Sequence, residues 1–270
     1  MDELLTQVKL EDGSVFKLGC IEDNPYATKA FPVYGEVSNT PIVPRSKWKE
    51  LIDRMGGGPE SGYLSYVHNQ NGYGMCNASA TASAMESQRI KQGLPLVRLS
   101  AGDLYYRISG GRDNGSTLQD GIRSATKDGV ARESLVPYLE WRRTTAEARE
   151  DRKNFRVLEA FLCPTFDACM SAVLMGFDLI SGIWWYDNYT PTSDGWLPAP
   201  RGSRGGHAVH GYKPTYKGDR FGIWHKNSWT PKWGLNGFCV FPEEVYVGGN
   251  TFGWWAVRSI VDEGGIIPNG

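Results

Sequence analysis

No run of about 18 apolar residues, the length a membrane-crossing helix needs, occurs in this sequence, so no membrane span is expected. Charge of one sign is not in surplus either. With 29 Lys and Arg against 30 Asp and Glu the net charge is -1, so nothing marks nucleic acid as a partner and no acidic tail suggests disorder. The opening residues, Met1 to Gln7, lack a basic region followed by an apolar core, and no secretory signal is expected. Cysteine is scarce: Cys20, Cys76, Cys163, Cys169 and Cys239 are an odd number with no C-x-x-C spacing. That argues against a disulfide framework and for a cytoplasmic or otherwise reducing compartment. The 4 histidines do not cluster with the cysteines in ligand pairs, so no metal is expected. Internal repeats and low-complexity segments are also lacking.

What is present is aromatic and glycine-rich. The 270 residues include 10 Trp and 33 Gly, enough chain for one large domain or two lobes sharing an interface. Short apolar runs on either side of Asp12-Gly13 predict a β-hairpin over residues 4–20. Residues 21–45 read as an extended connector. Ser46 to Met55 reads as an amphipathic helix with Ser46 as its cap, stopped by Gly56-Gly57-Gly58-Pro59. Helices are predicted over 76–91, from Ser100 to Gly110, and from Ser116 to Lys127. After a charged helical stretch from Thr144 to Arg152, strands dominate: Phe155–Leu162, Phe177–Trp185, His207–Tyr212, Phe221–Lys226, Gly237–Phe241 and Trp254–Ile260. A helix from Phe166 to Met175 and a long loop over 186–206 interrupt them. The chain therefore divides into a hairpin and connector (1–45) and a domain (46–270). The domain has a helical lobe at about 70–143 and a sheet or barrel lobe at about 144–270.

The stretch from Gln70 to Glu86 organises the reading. A glutamine and two glycines lead into Cys76, which starts a helix rich in Ala and Ser. A helix N-terminus carries partial positive charge and unpaired N–H groups, and a thiol placed there has a lowered pKa. A cysteine nucleophile also needs a base and a group that orients the base. Four histidines are candidates. His207 follows Gly205-Gly206 at a strand start, and His210, three residues on, faces the other side of that strand. His225 precedes Asn227, and His68 lies on the loop before Gln70.

Gln70 six positions before Cys76 with Gly74 between them, then Gly206-His207-Ala208-Val209, then Lys226-Asn227-Ser228-Trp229 followed by Trp233-Gly234, resemble in that order the papain family of cysteine peptidases. The likeness spans about residues 60–260. It implies an α+β, two-lobe fold: a helical lobe and an antiparallel, barrel-like β lobe with the active-site cleft between them. It also implies roles. Cys76 is the nucleophile, held as a thiolate against a protonated His207. Asn227 orients the imidazole, and the Gln70 side chain joins the Cys76 N–H in an oxyanion hole. Trp229 shields the His–Asn bond and flanks the leaving-group side, while Asn114, Gly115 and Ser116 form a wall that pairs with extended substrate backbone. His68, His210 and His225 remain structural, Trp233 is a core aromatic, and the other cysteines are buried thiols.

The sequence departs from the family pattern at Asn77 (usually Trp), Tyr73 (a disulfide cysteine in secreted members), Thr230 (Gly) and Ser116 (Gly), which bears on substrate preference. The expectation is a cysteine endopeptidase acting on protein or peptide through an acyl-enzyme, without metal or organic cofactor. Its activity falls as pH drops through the depressed pKa of Cys76. Two rivals stand beside it. One is a papain-fold binding or assembly module with little turnover, entering a virion or other large particle through the edge strand in residues 1–25. The other is a cell-wall amidase or endopeptidase. The residues before Gln70 are too few for a typical inhibitory pro-domain as well as the mature start, so the hairpin has no assigned purpose at this level.

Overall fold

The computed structural model describes residues 4–56, 58–59 and 66–261. Residues 1–3 and 262–270 at the expected domain ends, and Gly57 of the expected helix stop, lie outside the described residues. The N-terminal hairpin forms as read: β1 (Gln7–Lys9) pairs antiparallel with β2 (Val15–Lys17). Its turn uses Gly13 at φ +85°, a left-handed conformation that glycine adopts without a Cβ penalty. A third short strand, β3 (Cys20–Ile21), and a one-turn helix, α1 (Pro25–Thr28), follow.

The next helix, α2, spans Trp48–Met55. Ser46 is not its cap, because residues Arg45–Lys47 wind as a 3-10 turn and α2 starts at Trp48 without a side-chain cap. The central helix α3 (Cys76–Lys91) is buried from Cys76 to Arg89. Its Ala and Ser side chains are small enough for close packing on every side, here against the strands of the β lobe and two helices. Helix α4 (Ala101–Ile108) is capped by Ser100, whose Oγ accepts the Asp103 N–H at 2.9 Å. The third predicted helix begins later than read. Ser116–Thr117 is a strand, β4, and α5 spans Leu118–Lys127 with Thr117 as its cap. The charged stretch yields α6 (Ala146–Asp151).

The β lobe is built from β5 (Arg156–Leu162), α7 (Phe166–Leu174), β6 (Asp178–Tyr186), β7 (Arg204–Lys217), β8 (Arg220–Lys226), β9 (Phe238–Pro242), α8 (Glu243–Tyr246) and β10 (Thr251–Val261). Its strands form one antiparallel sheet in the order β5-β10-β6-β7-β8-β9. Strand alternation divides the core between the two faces. On β7, Ala208 packs with the α3 side, in a cluster with Met85, Leu104 and Trp255. Val209 packs on the other face with Trp185, Trp229 and Phe241. The α+β organisation with a helical lobe against a β lobe is the one the resemblance implied. No helix among the described residues is long and apolar enough to cross a membrane.

Candidate active site

Cys76 sits in the first turn of α3, which has no side-chain cap, so its first N–H groups stay available. The N–H groups of Cys76, Asn77, Ala208 and Gly19 are near enough to the sulfur to favour its thiolate form. From the β lobe, His207 on β7 reaches Asn227, just past β8: Nε2 lies 2.8 Å from Asn227 Oδ1. An amide oxygen only accepts, so the proton is on Nε2 and the Nδ1 lone pair is free. Nδ1 is buried and has no hydrogen-bond partner among the described residues. Asn227 Oδ1 also accepts the Ser228 N–H at 2.8 Å, which fixes the amide. Trp229 lies against the imidazole with ring centres 4.7 Å apart, and Trp185 packs edge-on at 5.1 Å, excluding water from the His–Asn bond.

Gln70 is fully buried and oriented by four hydrogen bonds. Its Oε1 accepts from Ser228 Oγ at 2.7 Å and from Trp229 Nε1 at 3.1 Å. Its Nε2 donates to the carbonyls of Tyr73 at 2.8 Å and Lys17 at 2.7 Å. The second of these introduces a feature the sequence did not disclose. The N-terminal segment runs through the cleft of its own chain. Leu5 N–H bonds Arg204 O at 2.8 Å, and Ser116 N–H bonds Gly19 O at 2.9 Å. Phe16 stacks on Trp229 with ring centres 5.6 Å apart, and β3 pairs parallel with β4, Cys20 opposite Ser116. Asp23 closes the far end, taking the Gln119 N–H at 2.8 Å and Trp255 Nε1 at 2.9 Å.

Glycines make that passage possible. A Cβ at Gly115 would stand 2.2 Å from Gly19 O, at Gly206 1.9 Å from Cys20 O, and at Gly205 1.9 Å from Leu5 O. The expected wall is therefore partly occupied: Gly115 and Ser116 face the segment, while Asn114 is exposed on the preceding bend.

The occupied cleft changes the electrostatics expected from the sequence. Burial pushes the Cys76 thiol up to about 11, although the four N–H donors pull it down. Burial likewise pushes His207 down to about 4, against the Asn227 hydrogen bond. Both groups are thus neutral in this state, rather than a thiolate–imidazolium pair. The physical reason is water: with the segment in place neither charge is solvated.

Asn77, in the usual place of a family Trp, has a defined role. Its Nδ2 donates to Ser116 Oγ at 3.1 Å and Thr117 O at 2.7 Å, tying β4 to α3. Gly121 leaves room for it, since a Cβ there would stand 2.8 Å from both amide heteroatoms. Thr230 keeps a left-handed backbone (φ +69°) where the family has Gly. Among residues not singled out from sequence, Asp113 lies beside the wall and accepts from Gly74 N–H at 2.8 Å, Tyr105 Oη at 2.8 Å and Lys17 Nζ at 2.9 Å. Its only sequence signal was an acidic residue immediately before Asn114-Gly115.

The remaining histidines are structural, as read. His68 bonds Glu86 at 3.2 Å, and His225 bonds Ser181 at 3.0 Å. Ser83, His210 and Asp178 form a serine–histidine–carboxylate chain at 2.8 and 3.1 Å. All three side chains are buried on the α3 side of the sheet, and Lys91 and Gln88 complete the carboxylate's bonds. All five cysteines are free and buried. No cluster of metal-binding side chains occurs among the described residues.

The family model for the papain family of cysteine proteases matches residues 57–250. A peptidase C1-like protein of Acanthamoeba polyphaga mimivirus is 27% identical over 219 residues, covering 72% of this chain and 70% of that protein. Among solved structures, xylellain, a cysteine protease from Xylella fastidiosa, superposes with a TM-score of 0.72 at 21% identity, covering 90% of this chain and 96% of that one. Bromelain from Ananas comosus, solved with the E64 inhibitor, gives 0.60 at 20% identity, covering 78% and 96%.

Proposed function

This chain belongs to the papain family of cysteine proteases, and we propose that it hydrolyses peptide bonds as an endopeptidase, with Cys76 as nucleophile, His207 as its base, Asn227 as the group that orients His207, and Gln70 as an oxyanion donor. The observation that carries the assignment is the His207 tautomer: Nε2 is committed to Asn227, leaving Nδ1 as an unpaired buried base. His207 Nδ1 takes the thiol proton as Cys76 Sγ attacks the carbonyl carbon. Negative charge develops on the carbonyl oxygen between Gln70 Nε2 and the Cys76 N–H. Collapse breaks the C–N bond, and His207 returns the proton to the leaving amine. Water, deprotonated by His207, then hydrolyses the thioester. Ser116, Gly115 and Asn114 line the acyl side, and Trp229 the leaving-group side.

The segment in the cleft makes this a latent state. With Trp229 on the leaving-group side and Ser116 on the acyl side, a substrate passes from Ser116 toward Trp229 in the N-to-C direction. The segment passes the other way, Phe16 on Trp229 and Cys20 on Ser116. The Gly19 N–H favours the thiolate form of Cys76, and a segment running against the substrate direction blocks the site. Leu5 and β3 of that segment are bonded to the cleft walls, while β1 and β2 pair with each other as a separate two-stranded sheet. Protein or peptide substrate is the partner that this reading requires.

The test is hydrolysis of a denatured protein or fluorogenic peptide by wild type, Cys76→Ala and Gln70→Ala. Cys76→Ala should abolish turnover, and Gln70→Ala should lower kcat about 100-fold. Turnover unchanged in Cys76→Ala would refute the assignment.

A further inference from the structure

Lys17 meets the two features by which this cleft recognises a residue. Its carbonyl oxygen is held by the oxyanion donor, Gln70 Nε2, at 2.7 Å. Its side chain turns to the wall, where Nζ lies 2.9 Å from Asp113 Oδ2 and also bonds the Asp113 carbonyl. The carboxylate is not a loose surface group. Its other oxygen is pinned by the Gly74 N–H, two residues before the nucleophile, and by the Tyr105 hydroxyl, which in turn accepts the Gly115 N–H at 3.2 Å. These bonds and Lys17 together hold the Asp113 carboxyl below the usual carboxylate range. Both partners keep some solvent contact, with side chains 37% and 22% exposed.

We propose that Asp113 is a specificity-determining residue of this peptidase, and that the enzyme selects substrates with lysine or arginine at the residue whose carbonyl is attacked. The inference rests on the catalytic assignment above. It draws on the one peptide the cleft is seen to hold, whose basic residue places its carbonyl on Gln70 and its ammonium on Asp113. The segment runs against a substrate, so what carries over is the nearness of the two groups: the carboxylate lies within reach of a long basic side chain whose carbonyl is on the donor amide. A carboxylate fixed by two donors besides Lys17 gives an arriving ammonium or guanidinium a preorganised, charge-assisted acceptor, while a neutral side chain of the same length leaves it facing water. The segment is then a resident basic ligand competing with basic substrates.

The experiment uses the full-length chain and a pair of peptidyl chloromethyl ketones identical except for lysine or norleucine at the reactive residue. Each alkylates Cys76 with loss of chloride, so the readout is a second-order rate of adduct formation by mass spectrometry and needs no turnover. In wild type the lysyl reagent should react about tenfold faster than the norleucyl one, equivalent to ~1.4 kcal/mol. The ratio should fall to about one in Asp113→Asn, recover in part in Asp113→Glu, and shrink with added salt. In Lys17→Ala, where the resident cation is gone, the lysyl reagent should gain rate. A wild-type ratio near one, or a ratio that Asp113→Asn leaves intact, overturns the proposal while Cys76 modification keeps the catalytic assignment standing. If neither reagent modifies Cys76 faster than a free thiol in any of the four proteins, the catalytic assignment fails and the specificity falls with it.

Discussion

Replacing Gly19 by alanine should open the cleft without altering any residue proposed to act in catalysis. A Cβ at Gly19 would lie 2.3 Å from Gly74 O and 2.5 Å from Gly74 Cα. The obstacle is backbone on the loop that leads into Cys76, so no side-chain rotation relieves it. Gly19 does not have a left-handed φ, so alanine carries no conformational penalty of its own there. Forcing a methyl group into such a contact costs about 1–3 kcal/mol, which multiplies the open fraction about 5- to 150-fold. Against that stand Phe16, Leu18 and Cys20, all buried with the segment in place. Burial of a large apolar side chain contributes about 1.5–3 kcal/mol at most, so the variant shifts the equilibrium rather than expelling the segment.

The assay is the rate of iodoacetamide modification at each cysteine, followed by peptide mass spectrometry. Cys76 should react about 5- to 150-fold faster in Gly19→Ala than in wild type, because modification requires the open state. The pH profile of that reaction should also move down: the closed thiol is held at about 11 by burial, and opening readmits water and restores the pull of the α3 terminus. Cys163, Cys169 and Cys239 lie in the other core cluster and serve as internal controls for global unfolding. Equal Cys76 rates in the two proteins, or modification of those three in step with Cys76, would refute the reasoning.

Stability should begin to fall on acidification above the ordinary carboxylate range, where the histidines of the unfolded chain titrate. His207 and His225 are held down to about 4 and about 3 by burial, and His210 is lowered by burial too. Unfolded histidines take up protons as pH drops through about 6.5 while the folded ones do not, so stability is full above that value and declines toward pH 4. Urea midpoints at pH 7.5 and about 4.5 check the sign, and a higher midpoint at the acid end would contradict it. Asn77→Ala removes both bonds to β4 and leaves Thr117 O without that donor, a loss of about 1–3 kcal/mol. The thermal midpoint should drop accordingly, and an unchanged midpoint would mean that Ser116–Thr117 holds its place without Asn77.

Much of the site was legible because its signals are local. Cys76 begins a helix because glycines stop and small helix formers start there, and the Gly-His and Asn-Ser-Trp strings put His207 on β7 and Asn227 just past the adjacent β8. Boundaries were less legible where tertiary contacts decide them. Ser116 and Thr117 look like a helix start, yet they are a strand because Cys20 pairs with Ser116. The state of the thiol was misread for the same reason: the helix terminus was visible in the sequence, but the residues that would exclude water were not assigned to the cleft. The hairpin at Asp12-Gly13 was visible; its docking site was not, because docking depends on the shape of a groove built from residues as far apart as Gly74 and Gly206.

That groove explains why its glycines are ambiguous in sequence and why Gly19 is not. Gly115, Gly205 and Gly206 let the segment's backbone come within contact of the cleft walls, and an extended substrate strand on Ser116 needs the same clearance. A side chain at any of these three therefore obstructs resident and substrate together, and its effect on activity has no defined sign. Gly19 belongs to the resident alone. A Cβ there acts only on the closed state, since once the segment has left, nothing in the catalytic cleft carries the added methyl group. Faster modification of Cys76 in Gly19→Ala thus separates occupancy of the cleft from its chemistry, which substitutions at the cleft-wall glycines do not.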